Sequence, residues 1–217
     1  MKKITVKTEF PVAFDSPDHL VPLGTKKDNT RNKLFVRSCL KLLKKRKRTI
    51  LKVLDIGCAG GGCVQDFVSK GHNAVGIEGS DYSKNKRRAS WSKIPDRLFT
   101  CDASRPFTIF EDGEKMKFNL IYSFEVMEHI HPDRLKIYFK NIRNHLTENG
   151  IFIGTYTCTK SEKYPDHHQT VMGSDAWLKY IKDLKMFKII NLEWDRKQYL
   201  RSSTLKKNCI PVAFKKR

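Results

Sequence analysis

From about residue 52 onward, short apolar runs alternate with stretches of helical periodicity. The runs KVLDIG (52–57), NAVGIEG (73–79), RLFTCDA (97–103), NLIYSFEV (119–126) and IFIGTYTC (151–158) are rich in Val, Ile, Phe and Tyr. Gly, Asn or Asp bounds them, so each predicts a buried strand. Helices are predicted between them at 62–70, 81–92, 132–146 and 175–185. The second starts after Ser80 and Asp81, a plausible cap. The third carries Leu135, Phe139, Ile142 and Leu146 on one face, with Pro132 in its first turn and Gly150 just past its end. The fourth places Trp177, Ile181 and Leu184 together. Strands alternating with helices imply βαβ units and a parallel sheet. Two further runs, 188–194 and 209–216, predict an antiparallel pair at the sheet's end, although Pro211 argues against an interior position there.

The first 50 residues differ. FDSPDHLVPLGTKKDNTRN has little periodicity and reads as an irregular ordered arm. A helix follows over 32–46, with Phe35, Cys39, Leu42 and Leu43 on one side, and it runs into KKRKR at 44–48. The expected division is an arm and basic helix (1–50) packed on an α/β domain (51–217).

A chain of 217 residues can bury a core without disulfides or metal staples. No run approaches 18 apolar residues, so no membrane span is expected. MKKITVKTEF lacks the apolar segment of a signal peptide, and the six cysteines form no CxxC, so a cytoplasmic protein with reduced thiols is expected. The net charge of +20 invites a polyanion such as RNA. Against that, Lys outnumbers Arg 30 to 13, whereas phosphate and base recognition favours the arginine fork. KKRKR could touch phosphate or serve as a nuclear import signal, but the favoured reading is a solvated helix end whose cations suit the C-terminal dipole.

The chemistry concentrates at the strand ends. Val53 to Gly62, VLDIGCAGGG, is a strand running into a glycine-rich turn and a helix. Small residues there admit a ligand, and the helix start favours an anionic group. The dinucleotide fingerprint needs a central glycine where this chain has Ala59. Asp55 would repel a pyrophosphate but could meet a cationic amine. Glu78 ends the second strand, where an acid accepts from ribose hydroxyls. Asp102, at the end of the third, could accept from an adenine amino group.

With those residues in place, the chain resembles class I S-adenosylmethionine-dependent methyltransferases. VLDIGCAGG is similar to the family's first motif, VGIEGSD to its second-strand acid, TCDASRPF to its adenine-side motif, and FNLIYSFEVMEHI and LTENGIFIGT to strands four and five. The resemblance implies a three-layer, Rossmann-like α/β sandwich with a mostly parallel seven-stranded sheet and an antiparallel last strand. It implies S-adenosylmethionine as cofactor, with contacts from Asp55, Gly57, Cys58, Ala59, Gly61, Glu78, Gly79, Ser80, Asp102, Ala103 and Phe124. Asn119 and Ala59 depart from the usual Asp and Gly. DSPDHLVPLGT, EGSDYSKNKRRASW, FEVMEHI and HHQTVMGSDAW resemble a narrower microbial and viral group without a settled substrate.

Glu125, Glu128 and His129 stand at i, i+3 and i+4. If strand four passes straight into a helical turn they share one face. With His167 or His168 they would make a divalent metal set, Mg being the expected ion. ExxEH also resembles metal-dependent small-RNA 2′-O-methyltransferases and ubiquinone-pathway O-methyltransferases. The alternative is a hydrogen-bonded structural His129. Asp18, His19, Asp28 and Asn29 read as arm turn residues that could line an acceptor pocket. Trp91 and Tyr122 read as packing residues, and no GxSxG elbow exists.

The expected function is methyl transfer to an oxygen of a small-molecule or glycan-type acceptor, with His129, His168 and then Glu125 as proton acceptors. The alternatives are an RNA methyltransferase and a catalytically silent domain that binds nucleic acid or a partner. A nicotinamide dehydrogenase fits poorly, because Asp55 and Ala59 disfavour a pyrophosphate.

Overall fold

The structure is a computed structural model that describes residues 2–17, 19–43, 49–199 and 209–217. The KKRKR run, Asp18 and residue 1 lie outside the described residues, as does the stretch 200–208.

The strands are β1 (Ile4–Thr8), β2 (Lys52–Ile56), β3 (Asn73–Glu78), β4 (Leu98–Thr100), β5 (Phe107–Glu111), β6 (Glu114–Lys115), β7 (Phe118–Phe124), β8 (Leu146–Thr157), β9 (Phe187–Ile189) and β10 (Cys209–Lys216). The helices are α1 (Lys33–Leu43), α2 (Gly62–Val68), α3 (Tyr82–Asn85), α4 (Leu135–His145), α5 (Ser174–Asp183) and α6 (Arg196–Tyr199).

Seven strands form one sheet in the order β4-β3-β2-β7-β8-β10-β9. The first five are parallel, and β10 runs antiparallel to both β8 and β9. This is the expected mostly parallel seven-stranded sheet with a reversed last strand. Pro211 sits inside β10 opposite Thr155, yet β9 pairs only with Phe214–Lys216. Among the described residues β10 therefore has no second strand partner at the proline, the kind of place where a strand tolerates one.

The strands are apolar on both faces because both are covered. On one face Leu54, Val75, Ile121 and Phe152 pack against Leu135, Phe139 and Ile142 of α4 and Trp177 and Ile181 of α5. On the other, Val53, Ala74, Leu120 and Tyr122 meet Phe35 and Cys39 of α1 and Val64 and Phe67 of α2. None of the six cysteines is in a disulfide. Among the described residues no helix is long and apolar enough to cross a membrane.

Several expected elements differ. The arm opens with β1, which pairs antiparallel with β5 to make a second sheet, β1-β5-β6. The helix expected over 81–92 breaks into α3 and a 3-10 turn at Ala89–Ser92, because Arg87 and Ala89 take left-handed φ of 44° and 56°. The run at 97–103 is a strand only over Leu98–Thr100, and the run at 188–194 only over Phe187–Ile189. The polar stretch before the last strand holds the short α6. Asn119, in place of the usual acid, accepts from the Lys52 backbone N–H at 2.9 Å and so ties the starts of β2 and β7.

His145, at the end of α4, makes a pH prediction. It is 4% exposed, its Nδ1 lies 2.8 Å from the Asn141 carbonyl, and its Nε2 accepts from the Ile109 N–H at 3.3 Å. Burial pushes the imidazole down to about 4. Above its ordinary value near 6.5 the ring is neutral in both states, so no stability depends on it. Between there and about 4 the unfolded chain takes a proton that the folded chain refuses, so stability falls as pH drops. From pH 7.5 to 5 the expected loss is about 2 kcal/mol. Urea unfolding at both pH values should show that loss in the wild type and not in His145→Gln; equal losses would remove this residue from the account.

Candidate functional site

The chain leaves β2 toward β3 and β4, and β7 toward β8, in opposite directions along the sheet. The cleft outside this reversal is where open α/β sheets bind ligands. A cavity of about 420 Å³ lies there. Gly57, Glu78, Gly79, Ser80, Asp102, Ala103 and Phe124 form its strand-end wall, and Ala13, Ser16, His19, Pro22 and Thr25 of the arm close it from above.

The arm is tied to the loops after β3 and β4 and to α2. Phe10 accepts from the Asp102 N–H at 3.0 Å, and the Ala13 N–H donates to Gly79 at 2.8 Å. Ser80 Oγ donates to His19, and Arg88 donates to the Thr25 carbonyl at 3.3 Å. Arg31 then pairs with the buried Asp66 of α2, its Nε 2.7 Å from Oδ1. Between these ties the arm backbone presses on the glycine turn. A Cβ at Gly60 would lie 2.2 Å from the Asp28 carbonyl oxygen, and one at Gly62 would lie 2.6 Å from that of Asn29. A Cβ at Gly57, where φ is +80°, would strike Val126 Cγ2 at 2.3 Å. The glycines expected to admit a ligand also make room for neighbouring protein. Gly60→Ala should thus lift the arm, at a cost of about 1–3 kcal/mol, and weaken cofactor affinity with it. Thermal unfolding and calorimetry check both effects, and a variant as stable as the wild type would contradict the close packing.

Glu78 organises this turn. Its Oε2 accepts from the Ala59 N–H at 2.6 Å, and its Oε1 accepts from the Gly79 N–H at 3.1 Å. Trp91 is not only packing, because its Nε1 donates to the Ala59 carbonyl at 2.8 Å. Ala59 thereby has both backbone groups held, which fixes its left-handed φ of 48°. Asp102 faces the cavity while its Oδ1 accepts from the Ser104 N–H and hydroxyl, at 2.8 and 2.6 Å.

Not every expected cofactor residue reaches the cavity. Asp55 is 6% exposed and lines a side pocket of about 30 Å³ with Asp28, Asn32, Cys58 and Tyr122. Gly57 and Phe124 line both spaces, so the side pocket adjoins the main one. It has room for a water molecule or a small cationic head. Ala59 and Gly61 line neither, and a Cβ at Gly61 would meet Leu98 at 2.5 Å.

The segment after β7 departs from its expected geometry. Glu125 takes a left-handed φ of 56°, and its N–H donates to Thr155 at 3.1 Å. The helical turn begins only at Met127, in a 3-10 turn over Met127–His129. Glu125 therefore does not share a face with Glu128 and His129. It lines the cavity and lies beside Cys209, whose thiol is pushed up by burial and by this carboxylate. Glu128, His129 and His168 do converge, with one ligand atom from each within 4.8 Å of the others. Glu128 is 1% exposed. The rings of His129 and His168 meet edge to face at 5.0 Å, and both residues line the cavity. His168 Nδ1 lies 2.7 Å from the Thr159 carbonyl. That bond puts the Nδ1 proton on the carbonyl side and leaves Nε2 as the acceptor.

Most of the cavity's outer wall was not read from the sequence; only His167 is named there, as a candidate metal ligand. The wall comprises His131 and Arg134 before α4, Lys163, Tyr164 and His167 from the loop after β8, and Asp15 of the arm. Asp15 and His167 lie in the quoted DSPDH and HHQTV motifs, but no spacing links them to His131, Arg134, Lys163 and Tyr164, and only the return of two loops and the arm to one cleft brings them together.

The family model for a methyltransferase domain matches residues 27–207. A ubiquinone biosynthesis O-methyltransferase of Pelagibacter ubique (strain HTCC1062) is 26% identical over 156 residues, which are 71% of this chain and 59% of that protein. The chain thus spans about three-fifths of that relative's length. A crystal structure of an S-adenosylmethionine-dependent methyltransferase from Clostridium acetobutylicum superposes with a TM-score of 0.61 at 16% identity, covering 91% of this chain and 95% of that one. The Burkholderia thailandensis 1,6-didemethyltoxoflavin-N1-methyltransferase, solved with 1,6-didemethyltoxoflavin and S-adenosylhomocysteine, superposes at 0.57 with 15% identity over 85% of this chain and 79% of that one. At these identities the two structures speak for the fold alone.

Proposed function

The chain belongs to the class I S-adenosylmethionine-dependent methyltransferase family, and on that premise we propose that it methylates an oxygen of a small-molecule acceptor. When bound, S-adenosylmethionine supplies an electrophilic methyl group. This chain's own residues hold the cofactor, seat the acceptor and take its proton. In this reading Glu78 accepts the ribose hydroxyls while keeping the Ala59 turn in shape, and Asp102 and Ala103 border the adenine. Asp55, through its side pocket, answers the ammonium group, and Gly57, Gly79, Ser80 and Phe124 complete the wall. The donor set suits such a ligand: two carboxylates at strand ends, one buried carboxylate in an adjoining small pocket, and no demand for a pyrophosphate.

One observation carries the choice of oxygen. Two imidazoles, His129 and His168, stand together on the cavity wall, and a hydroxyl needs a proton acceptor most. The name of the Pelagibacter relative, an O-methyltransferase, favours the same atom. The test is a methyl-transfer screen with radiolabelled cofactor across metabolite, RNA and protein fractions of the native host. Label is expected in a small metabolite, in an ether or ester linkage. Label in RNA, or on nitrogen, would overturn the reading.

A second reading is favoured by the convergence of Glu128, His129 and His168. These three residues would hold a divalent ion, which would acidify an acceptor hydroxyl. Two imidazoles and one carboxylate suit Mn²⁺ or Zn²⁺ better than the oxygen-seeking Mg²⁺. Calorimetry with Mn²⁺ is expected to show one site in the wild type and none in His168→Ala; absence of heat in both would leave the imidazoles to act alone.

A further inference from the structure

We infer that the acceptor carries an anionic group, a carboxylate or a phosphate, and that Lys163 and Arg134 read it across the cavity from the cofactor's place. The inference rests on the methyltransferase reading above. The cavity is electrically divided. Its strand-end wall presents the carboxylates of Glu78 and Asp102, which suit a cationic cofactor. The opposite wall, from the loop after β8 and the segment before α4, presents Lys163, Arg134, His131 and His167.

Asp15 also reaches this wall, but two guanidinium groups answer it. Arg134 Nη2 lies 2.6 Å and Arg105 Nη2 lies 3.0 Å from its Oδ2. The pair holds the Asp15 carboxyl below its ordinary range. Arg105 also reaches Asp102, its Nε 4.0 Å from Oδ2, so these two cations and two carboxylates balance. Lys163 supplies this wall's excess cation, its Nζ 5.3 Å from the centre of the Tyr164 ring. An ammonium group and a guanidinium fork at one mouth are the donors that carboxylate and phosphate oxygens seek.

On the same wall Tyr164 and His167 stack at 4.9 Å with their planes 17° apart. A planar acceptor can extend that stack on an outer ring face, its anionic group at Lys163 and its hydroxyl toward His129 and His168. The two imidazoles would then face the hydroxyl and the anionic group would lie away from them.

The test titrates the protein, first saturated with S-adenosylhomocysteine, with benzoate, phenyl phosphate and benzamide in a calorimeter. At least one anion is expected to bind about tenfold or more tightly than the neutral amide. Whichever of benzoate and phenyl phosphate binds better identifies the group. Lys163→Gln should lower anion affinity about tenfold and leave benzamide unchanged, whereas Lys163→Arg should keep most of it. Benzamide binding as well as both anions, or anion affinity indifferent to Lys163→Gln, would overturn the inference. The saturation step separates the two readings. If S-adenosylhomocysteine does not bind, the methyltransferase reading fails; if it binds and no anion is preferred, only the acceptor inference fails.

Discussion

His129→Ala is expected to lower the turnover of methyl transfer by roughly 10²–10⁴-fold, while affinity for S-adenosylhomocysteine stays within about twofold. The separation of these effects follows from placement. His129 lies in the 3-10 turn Met127–His129, beyond the strand-end wall that holds Glu78 and Asp102. Its ring packs against His168 rather than against the glycine turn. Removing it takes away a proton acceptor and leaves the cofactor's contacts in place. Retained cofactor affinity also shows that the variant is folded. His168→Ala should cost less, because His129 remains to take the proton. A rate within about threefold of wild type, with the acceptor that the label screen identifies, would assign both imidazoles to structure instead.

The parallel sheet could be read from the chain because its strands are buried on both faces. Runs such as KVLDIG and NLIYSFEV have no competing helical period, and their glycine and asparagine boundaries fix where they stop. β1 and β5 were harder. Ile4 and Val6 alternate with exposed residues over only five positions, and their partner strand lies about 100 residues away. Neither run is persuasive alone, and only the pairing makes them strands.

Left-handed backbone at ordinary residues was invisible in the same way. Nothing in the side chains of Arg87, Ala89 or Glu125 announces a positive φ, yet each breaks an expected helix or helical face. At Glu125 the consequence is chemical, since it removes one carboxylate from the expected metal set. The glycine turn shows a subtler limit. A sequence pattern states that a Cβ is missing at Gly57 and Gly60 but not which neighbour takes the space. Here it is Val126 and the arm, so the arm, which had no periodicity to read, is what the turn is shaped to receive.

Glu78→Ala is expected to raise the dissociation constant for S-adenosylmethionine by at least about tenfold and, with the turn disturbed, by as much as a hundredfold. Two losses combine. The first is direct, because a carboxylate at the end of β3 is the group expected to accept from both ribose hydroxyls, and each charge-assisted bond contributes roughly 1.5–3 kcal/mol. The second is structural. The same carboxylate accepts from the Ala59 N–H at 2.6 Å and the Gly79 N–H at 3.1 Å, so its removal frees two backbone donors that border the cofactor wall. Glu78→Gln separates them. The amide keeps one acceptor oxygen, which can hold the Ala59 N–H, but loses the charge and the second oxygen. Its affinity should fall about tenfold with little change in melting temperature, whereas the Ala variant should lose both. Calorimetry and thermal unfolding on the same preparations read the two terms. If both variants bind S-adenosylmethionine as the wild type does, Glu78 only braces the turn and the cofactor's ribose must be sought elsewhere along the cavity.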